Sequence, residues 1–286
     1  MGNASYRQTT GNQYITQDQR SFFPSDLPKF ILQSRIGDGK FMKTYIFRVD
    51  GTQVVVKVYM KLFEEDLKSS IEQLTFIWRT LTPSQYPNLL PYQMWIRPSS
   101  TRFNKAAASP VYLIRQYFKF NLYDRLSTRP FLNEIEKLWI VFQLFKSLEV
   151  IHKHGIVHGD IKPENVMCTS FNWMVLTDFA PFKPPTIPDD DPTDFKYYFD
   201  CSGHSRCYLA PERFMRSDAK LTPLQGRKAN STSSPPIQST PLTPAMDVFA
   251  LGCLVAEVSK DPICNAKYLV ISLCSMLGIF RWGAAA

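Results

Sequence analysis

The sequence predicts an α+β fold in two lobes, a small antiparallel β-rich lobe followed by a mainly helical one. Two observations predict it. From Phe30 to Met60 apolar and polar residues alternate, as in strands that bury one face. After Asn133 the apolar residues recur at three- and four-residue intervals, the period of a helix with one buried face. The boundary between two such lobes leaves a crevice, and crevices of this kind are favoured ligand sites.

The first half contains three successive strand patterns, KFILQSRIGDGK, KTYIFRV and TQVVVKVYM. The pair Asp50-Gly51 between the last two is typical of a tight hairpin turn, so three antiparallel strands are expected. A helix follows and ends before Pro83. Its apolar stripe consists of Leu67, Ile71, Leu74, Ile77 and Leu81. The run VYLIRQY, residues 111–117, predicts a further strand.

The second half begins with a capping pattern, Asn133 followed by Glu136, which predicts the start of a long helix. Its expected apolar face consists of Leu138, Phe142, Phe145, Leu148 and Ile151. A short hairpin, NVMC and WMVLTD around TSFN, interrupts the helical character. Residues 217–244 are rich in Ser, Thr and Pro and are interpreted as a flexible insertion, because such a segment buries too little apolar area to order itself.

Composition limits the function classes. The net charge is +8, but no block of five or six like charges and no nucleic-acid-binding pattern occurs, so no nucleic-acid partner is predicted. No apolar run reaches the roughly 18 to 20 residues that a membrane-spanning helix needs. The N-terminus lacks the basic start and apolar core of a signal peptide, which predicts a cytoplasmic location.

Four short motifs indicate phosphoryl transfer, a reaction that needs a cation on the phosphates, metal-binding oxygens and an acceptor for the incoming hydroxyl proton. Residues 158–165, HGDIKPEN, match the pattern H-R-D-L-x-x-x-N except at the Arg. Asp178-Phe179-Ala180 stands at the end of a predicted strand, where D-F-G is expected. Lys57 lies on the third predicted strand, and Ala210-Pro211-Glu212 completes the set.

With these motifs in order, residues 28–257 resemble a eukaryotic protein kinase. The segments NLYDRLSTRPFLNEIEKLWI, HGDIKPENVMCTSFNWMVLTDFA and CYLAPERF are more narrowly similar to the vacuolar protein sorting-associated protein 15 family, the kinase-type regulatory subunit of class III phosphatidylinositol 3-kinase. The resemblance implies a two-lobed protein-kinase-like fold. It fades over residues 258–286, which implies an incomplete C-lobe with a divergent, truncated tail.

The resemblance also implies that ATP binds between the lobes. Gly37 and Gly39, with Ile36 beside them, would cover the nucleotide, and Lys57 would hold its α- and β-phosphates. Glu72 on the first helix would pair with Lys57. The alternative for Glu72 is an ordinary solvated glutamate.

Catalytic roles follow from the same resemblance. Asp160 would accept the proton of the substrate hydroxyl, and Lys162 would offset the negative charge that develops on the γ-phosphate. Asn165 and Asp178 would bind Mg²⁺ through hard oxygen ligands. Lys162, two residues after Asp160, resembles the serine/threonine type of kinase.

Several residues depart from the kinase pattern. Gly159 replaces the Arg that meets a phosphorylated activation loop, and Met42 stands at the third glycine of the phosphate-covering loop. Ala180 replaces the glycine of D-F-G, and Glu212 lacks its usual Arg partner from a later helix, which would leave a buried unpaired carboxylate. Two functions stay open: a serine/threonine protein kinase, or a weak or inactive pseudokinase scaffold that recruits and regulates the lipid kinase at membranes.

The implied partners are the class III phosphatidylinositol 3-kinase catalytic subunit and its complex, in endosomal or vacuolar sorting and autophagy. Residues 1–27 are expected to be flexible, and the resemblance implies an N-myristoyl group on Gly2 that holds the protein on endosomal or autophagic membranes. Tyr6 stands where the acylation motif has Ser or Thr, so a disordered N-terminus that begins with Gly by chance is the alternative.

Overall fold

The computed structural model describes residues 29–61, 64–96, 109–199, 206–215 and 241–259, and these residues confirm the predicted α+β fold. Gly2 and the rest of residues 1–27 lie outside them, as do residues 217–240 of the predicted insertion and residues 260–286 of the tail. The predictions for those segments stay predictions. No helix in the described ranges is both long and apolar enough to cross a bilayer.

The described strands, in chain order, are β1 (Ile31–Asp38), β2 (Met42–Val49), β3 (Thr52–Lys61), β4 (Leu89–Leu90), β5 (Met94–Ile96), β6 (Ser109–Gln116), β7 (Phe120–Asn121), β8 (Val166–Cys168), β9 (Met174–Thr177), β10 (Ile187–Pro188) and β11 (Phe214–Met215). The described helices are α1 (Glu64–Thr80), α2 (Leu122–Ser127), α3 (Glu134–Lys153), α4 (Pro192–Tyr198) and α5 (Pro244–Ser259). Five strands form the sheet of the first lobe in the order β1-β2-β3-β6-β5. Four short strands form the sheet β4-β9-β8-β7 in the second.

The predicted hairpin between β2 and β3 is confirmed. Asp50 and Gly51 have φ of 47° and 83°, the two positive values that a tight hairpin turn of the primed type requires. In the antiparallel pairing of β3 with β6, Lys57 lies opposite Leu113 and Val55 lies opposite Arg115. Because side chains alternate along a strand, Lys57 and Arg115 lie on the same face of the sheet.

Helix α1 forms where it was predicted, and the described part of its apolar stripe packs against both lobes. Leu74 packs in a cluster with Tyr92 and Leu113 of the first lobe. Ile77, one turn later, and Leu81, just past the helix end, pack in the main cluster of the second lobe. The opposite face of α1 is in solvent, and Glu72 lies on it.

Helix α3 is the centre of the second lobe and begins as predicted. The Glu136 amide donates to Asn133 Oδ1 at 2.9 Å, and the Asn133 amide donates to Glu136 Oε2 at 2.8 Å. The predicted apolar face was partly wrong, because Leu138 and Phe142 are 45% and 40% exposed. The helix packs against α5 and the second sheet, and this places a different stripe in the core, namely Ile140, Val141, Leu144, Phe145, Leu148 and Ile151.

Candidate active site

Lys57 and Asp178 meet across the cleft between the lobes. The Lys57 ammonium donates to Asp178 Oδ2 at 2.7 Å, although the two residues are 121 positions apart. Strand β3 supplies Lys57, and Asp178 follows β9 with φ of 65°. They line a cavity of about 560 Å³ together with Asp160, Lys162 and Asn165. The structure thus brings Lys57 to the three oxygen-bearing side chains that the motifs predict to lie with it, Asp160, Asn165 and Asp178.

A second cation, Arg115 of β6, also holds Asp178. Its Nε donates to Oδ1 at 2.7 Å and its Nη2 donates to Oδ2 at 3.0 Å, which is a bidentate pair. Arg115 is 5% exposed, so its charge is compensated almost wholly by Asp178 rather than by water. The position of Arg115 beside Lys57 on one face of the sheet makes this double contact possible.

The two cations control the charge of Asp178. Burial by itself would raise the pKa of this carboxyl, but Arg115 and Lys57 outweigh burial and hold the pKa well below its usual range. Burial lowers the pKa of Lys57, and the attraction of Asp178 opposes that shift. Asp178 is therefore an ionised carboxylate with a cation on each oxygen.

Asp160 is held in a similar way by two lysines of the second lobe. Lys183 donates to Asp160 Oδ2 at 2.7 Å, and the Lys162 ammonium lies 3.5 Å from the same oxygen. Asn165 Nδ2 donates to Asp160 Oδ2 at 3.0 Å and to its main-chain oxygen at 2.7 Å. Asn165 therefore fixes the orientation of the Asp160 carboxylate.

Asp160 remains ionised although it is buried. Burial would raise its pKa, but the ammonium groups of Lys162 and Lys183 outweigh burial and keep the pKa well below its usual range. Burial lowers the pKa of Lys183 to about 8, against the attraction of Asp160. Lys183 is thus mostly protonated at neutral pH, and the pair carries both charges.

Helix α5 holds the loop that carries Asp160 through the side chain of Asp247. Asp247, 1% exposed, accepts hydrogen bonds from the main-chain amides of His158 at 2.7 Å and Gly159 at 2.9 Å. His158 Nε2 lies 2.9 Å from the Thr177 carbonyl, and the Asp160 amide donates to His158 Nδ1 at 3.2 Å. In this arrangement Nε2 donates and Nδ1 accepts, as in a neutral imidazole. Burial lowers the pKa of His158, which favours the same neutral form.

Glycine at position 159 has a structural reason. Its φ is 78°, a region that L side chains rarely adopt, and a Cβ there would lie 2.9 Å from Leu242 Cδ1. The Arg of the kinase pattern is absent here, but Arg213 donates to the Gly159 carbonyl at 2.7 Å. The same guanidinium donates to the carbonyls of Pro184 at 2.8 Å and Pro185 at 2.9 Å. Arg213 thus joins the loop of Asp160 to the segment that follows Asp178.

Three aromatic rings in the lining of the cavity pack together, namely those of Phe41, Tyr197 and Tyr198. Phe41, in the loop between β1 and β2, stacks on Phe182 with ring centroids 6.1 Å apart. Its ring also contacts Tyr197 and Tyr198 of α4 at 5.7 Å and 4.9 Å. The phosphate-covering loop of the first lobe is therefore packed against helix α4 of the second.

Glu72 is not brought to Lys57. Its side chain is exposed on α1, and Lys57 bonds to Asp178, so the predicted Lys57–Glu72 pair is absent from the described residues. The expectation of a buried, unpaired Glu212 was also wrong, because Glu212 is exposed and its neighbour Arg213 is the buried residue. In both cases the sequence identified the element but not the direction of the side chain.

The predicted nucleotide-covering residues Ile36, Gly37 and Gly39 line the cavity at its mouth. Sequence reasoning missed Arg115 and Lys183. Arg115 had a signal, since it is the one charge in the apolar run VYLIRQY, where a strand buried on both faces demands a partner for it. Lys183 lies in a loop, and no pattern in the sequence distinguishes it from other surface lysines.

A family profile described as "Protein kinase domain" matches residues 30–272. The chain belongs to the protein kinase family. The lobes described above are thus the N-lobe and C-lobe of a kinase domain, with Lys57, Asp160, Asn165 and Asp178 at the positions of the family's motifs.

Curated relatives narrow the type of kinase domain. The chain is 41% identical over 261 residues to "Serine/threonine-protein kinase VPS15" of Arabidopsis thaliana, and the aligned region covers 90% of this chain and 16% of the relative. It is 40% identical over 247 residues to "Probable serine/threonine-protein kinase vps15" of Dictyostelium discoideum, covering 84% and 11%. It is 40% identical over 240 residues to "Serine/threonine-protein kinase VPS15" of Saccharomyces cerevisiae, covering 82% and 15%. The predicted resemblance to VPS15 is confirmed, and the chain spans less than a fifth of the length of these relatives.

Protein kinase domains in general use ATP with a divalent metal ion. The residues of this kinase domain do not fit such an ion as the structure places them. Both Asp178 oxygens accept hydrogen bonds from cations. Within the described ranges, no group of three or more His, Cys, Asp or Glu side chains is placed to hold a metal ion.

Proposed function

We propose that the chain is a serine/threonine protein kinase domain that binds ATP in the cleft and transfers its γ-phosphoryl group to a serine or threonine hydroxyl. The meeting of Lys57 with Asp178 at 2.7 Å, in a cavity that also contains Asp160, carries the proposal. The serine/threonine kinases among the relatives support it. ATP supplies the transferable phosphoryl group, and the side chains of the cleft position the reactants and stabilise the negative charge of the phosphates.

Asp160 is the group that receives the proton of the attacking hydroxyl. It is ionised, and Asn165 holds it in one orientation. Lys183 and Asn165 both donate to Oδ2, so in the described part of the chain Oδ1 is the oxygen left to accept the proton. Lys57 and Lys162 reach the cavity from opposite lobes, where two ammonium groups stabilise negative charge on the phosphates.

A second candidate function is a nucleotide-binding scaffold, and one observation favours it. Phe41, Tyr197 and Tyr198 join the glycine loop to α4 and line the same cavity as Asp160. A protein substrate that enters the cavity on this side has to displace these rings. In this second function the bound nucleotide stabilises the folded domain, and no phosphoryl group is transferred.

One assay separates the two functions. The 286-residue chain is incubated with γ-labelled ATP, a divalent ion and casein, and nucleotide binding is measured on the same sample. We expect label on serine or threonine of casein or of the chain itself. Binding without label transfer would contradict the kinase and favour the scaffold, and absence of binding would contradict both.

We further propose that the chain assembles with a class III phosphatidylinositol 3-kinase catalytic subunit on endosomal or autophagic membranes, with an N-myristoyl group on Gly2. The similarity to VPS15 proteins supports this proposal. One acyl chain gives an association constant of only about 10⁴ M⁻¹, so the partner has to supply the second contact. Mass spectrometry of the N-terminal peptide from eukaryotic cells should detect a C14 acyl group on Gly2 in wild type and not in Gly2→Ala. An unmodified wild-type peptide would contradict the acylation.

A further inference from the structure

The floor of the cleft has more positive than negative charge before any ligand binds. Its two buried carboxylates, Asp160 and Asp178, are each held by two cationic side chains. At the mouth the balance is also positive, since three lysines stand against two carboxylates. These residues are Lys40, Lys119, Lys196, Asp124 and Glu164.

This arrangement removes the usual need for a metal ion. In a kinase site the aspartate of D-F-G and the triphosphate repel one another, and divalent ions that contact both hold them together. Here Arg115 and Lys57 already neutralise Asp178, and Lys183 neutralises Asp160. The positive charge left over is complementary to the polyphosphate itself.

The contacts on Asp178 also leave little room for an ion. Mg²⁺ requires near-octahedral oxygen ligands at about 2.0 to 2.1 Å. Each carboxylate oxygen has roughly two acceptor sites. Oδ2 uses both for Lys57 and Arg115, and Oδ1 accepts from Arg115 Nε at 2.7 Å and from the Thr177 hydroxyl at 3.5 Å. An ion would have to displace a bidentate guanidinium that is buried and largely shielded from bulk solvent.

We propose that this cleft binds the polyphosphate of a nucleoside triphosphate through Lys57, Arg115, Lys162 and Lys183, with no requirement for a divalent ion. The inference rests on the proposed nucleotide binding, and it adds that these four cationic side chains take the place of the metal ion. Arg115 is its central positioning residue, because it occupies the carboxylate that would otherwise take the ion. It concerns binding, and it holds for a kinase and for a scaffold alike.

The test is the affinity of the 286-residue chain for ATP by calorimetry, in EDTA and in Mg²⁺. We expect the two dissociation constants to agree within about threefold. A loss of more than about 30-fold in EDTA would overturn the inference while leaving nucleotide binding intact. Absence of binding in both buffers would overturn the proposed nucleotide site and this inference with it.

An Arg115→Met variant tests the cause. Without the guanidinium Asp178 keeps Lys57 but gains a free oxygen, so ATP binding should fall by roughly tenfold or more in EDTA and recover in Mg²⁺. The matched control is Arg79→Met, which removes the same charge from an exposed position in the last turn of α1 and should change neither value. An Arg115→Met variant that binds ATP in EDTA as tightly as wild type would contradict the assigned role.

Melting curves of both variants show whether they fold. If Arg115→Met does not, Lys183→Met serves instead, since it removes the nearer of the two cations from Asp160 and should also weaken binding in EDTA. Unchanged binding in that variant would contradict the proposal. The comparison of the two buffers on wild type needs no variant.

Discussion

Replacement of Asp160 by Asn should lower the rate of phosphoryl transfer by about 10²- to 10⁴-fold, the usual contribution of a positioned proton acceptor. The amide is nearly isosteric, but it cannot take up the hydroxyl proton. Affinity for nucleotide should stay the same or rise, because the variant removes a negative charge close to the phosphates. Single-turnover transfer from labelled ATP and calorimetry measure the two effects separately.

The matched control is Asp124→Asn. Asp124 lines the same cavity, but its carboxylate accepts a hydrogen bond from the Asn121 amide at the start of α2. Transfer by this variant should lie within about twofold of wild type. The pH profile adds a check: because the pKa of Asp160 is far below its usual range, its titration should not change the rate between about pH 6 and 8. If Asp160→Asn keeps the wild-type rate, another group accepts the proton.

Replacement of Asp247 by Ala should destabilise the domain by about 3 kcal/mol or more, because it leaves two buried amide donors without an acceptor. These donors are the main-chain N–H groups of His158 and Gly159, and the His152 ring at 3.2 Å loses its partner as well. A loss of this size should lower the melting temperature by roughly 6 to 12 °C in a domain of this length. Urea denaturation followed by circular dichroism measures the free energy of unfolding.

Glu134→Ala is the control for stability. Its carboxylate is 76% exposed and pairs only with Lys137 in the first turn of α3, within the described residues. The cost should stay within about 0.5 kcal/mol. A wild-type melt for Asp247→Ala would mean that the loop of Asp160 does not depend on α5. Nucleotide affinity should fall in the same variant, since the loop that positions Asp160 loses its support.

Elements with local signals were predictable from the sequence. The turn at Asp50-Gly51 and the cap at Asn133 depend on residues next to one another, and both have the expected geometry. The motif residues Lys57 and Asp178 were also predictable as a pair, because the type of chemistry restricts which side chains must meet.

The direction in which a side chain points was harder to predict. Helical periodicity located α3, but its neighbours α5 and the second sheet decided that Leu138 and Phe142 face solvent. The same limit applies to Glu72, whose helix was predicted but whose rotation about its axis depends on packing between the lobes. The contact of Lys183 with Asp160 joins two loops, so no periodic pattern in the sequence predicts it.

The rings of Phe41, Tyr197 and Tyr198 have a kinetic consequence. Because these rings line the cavity and hold the loop before β2 against α4, a molecule that packs under that loop is retained by this contact as well as by its ionic contacts. Slow departure would make occupancy insensitive to brief changes in concentration. The bound molecule would then act as a durable component of the folded domain.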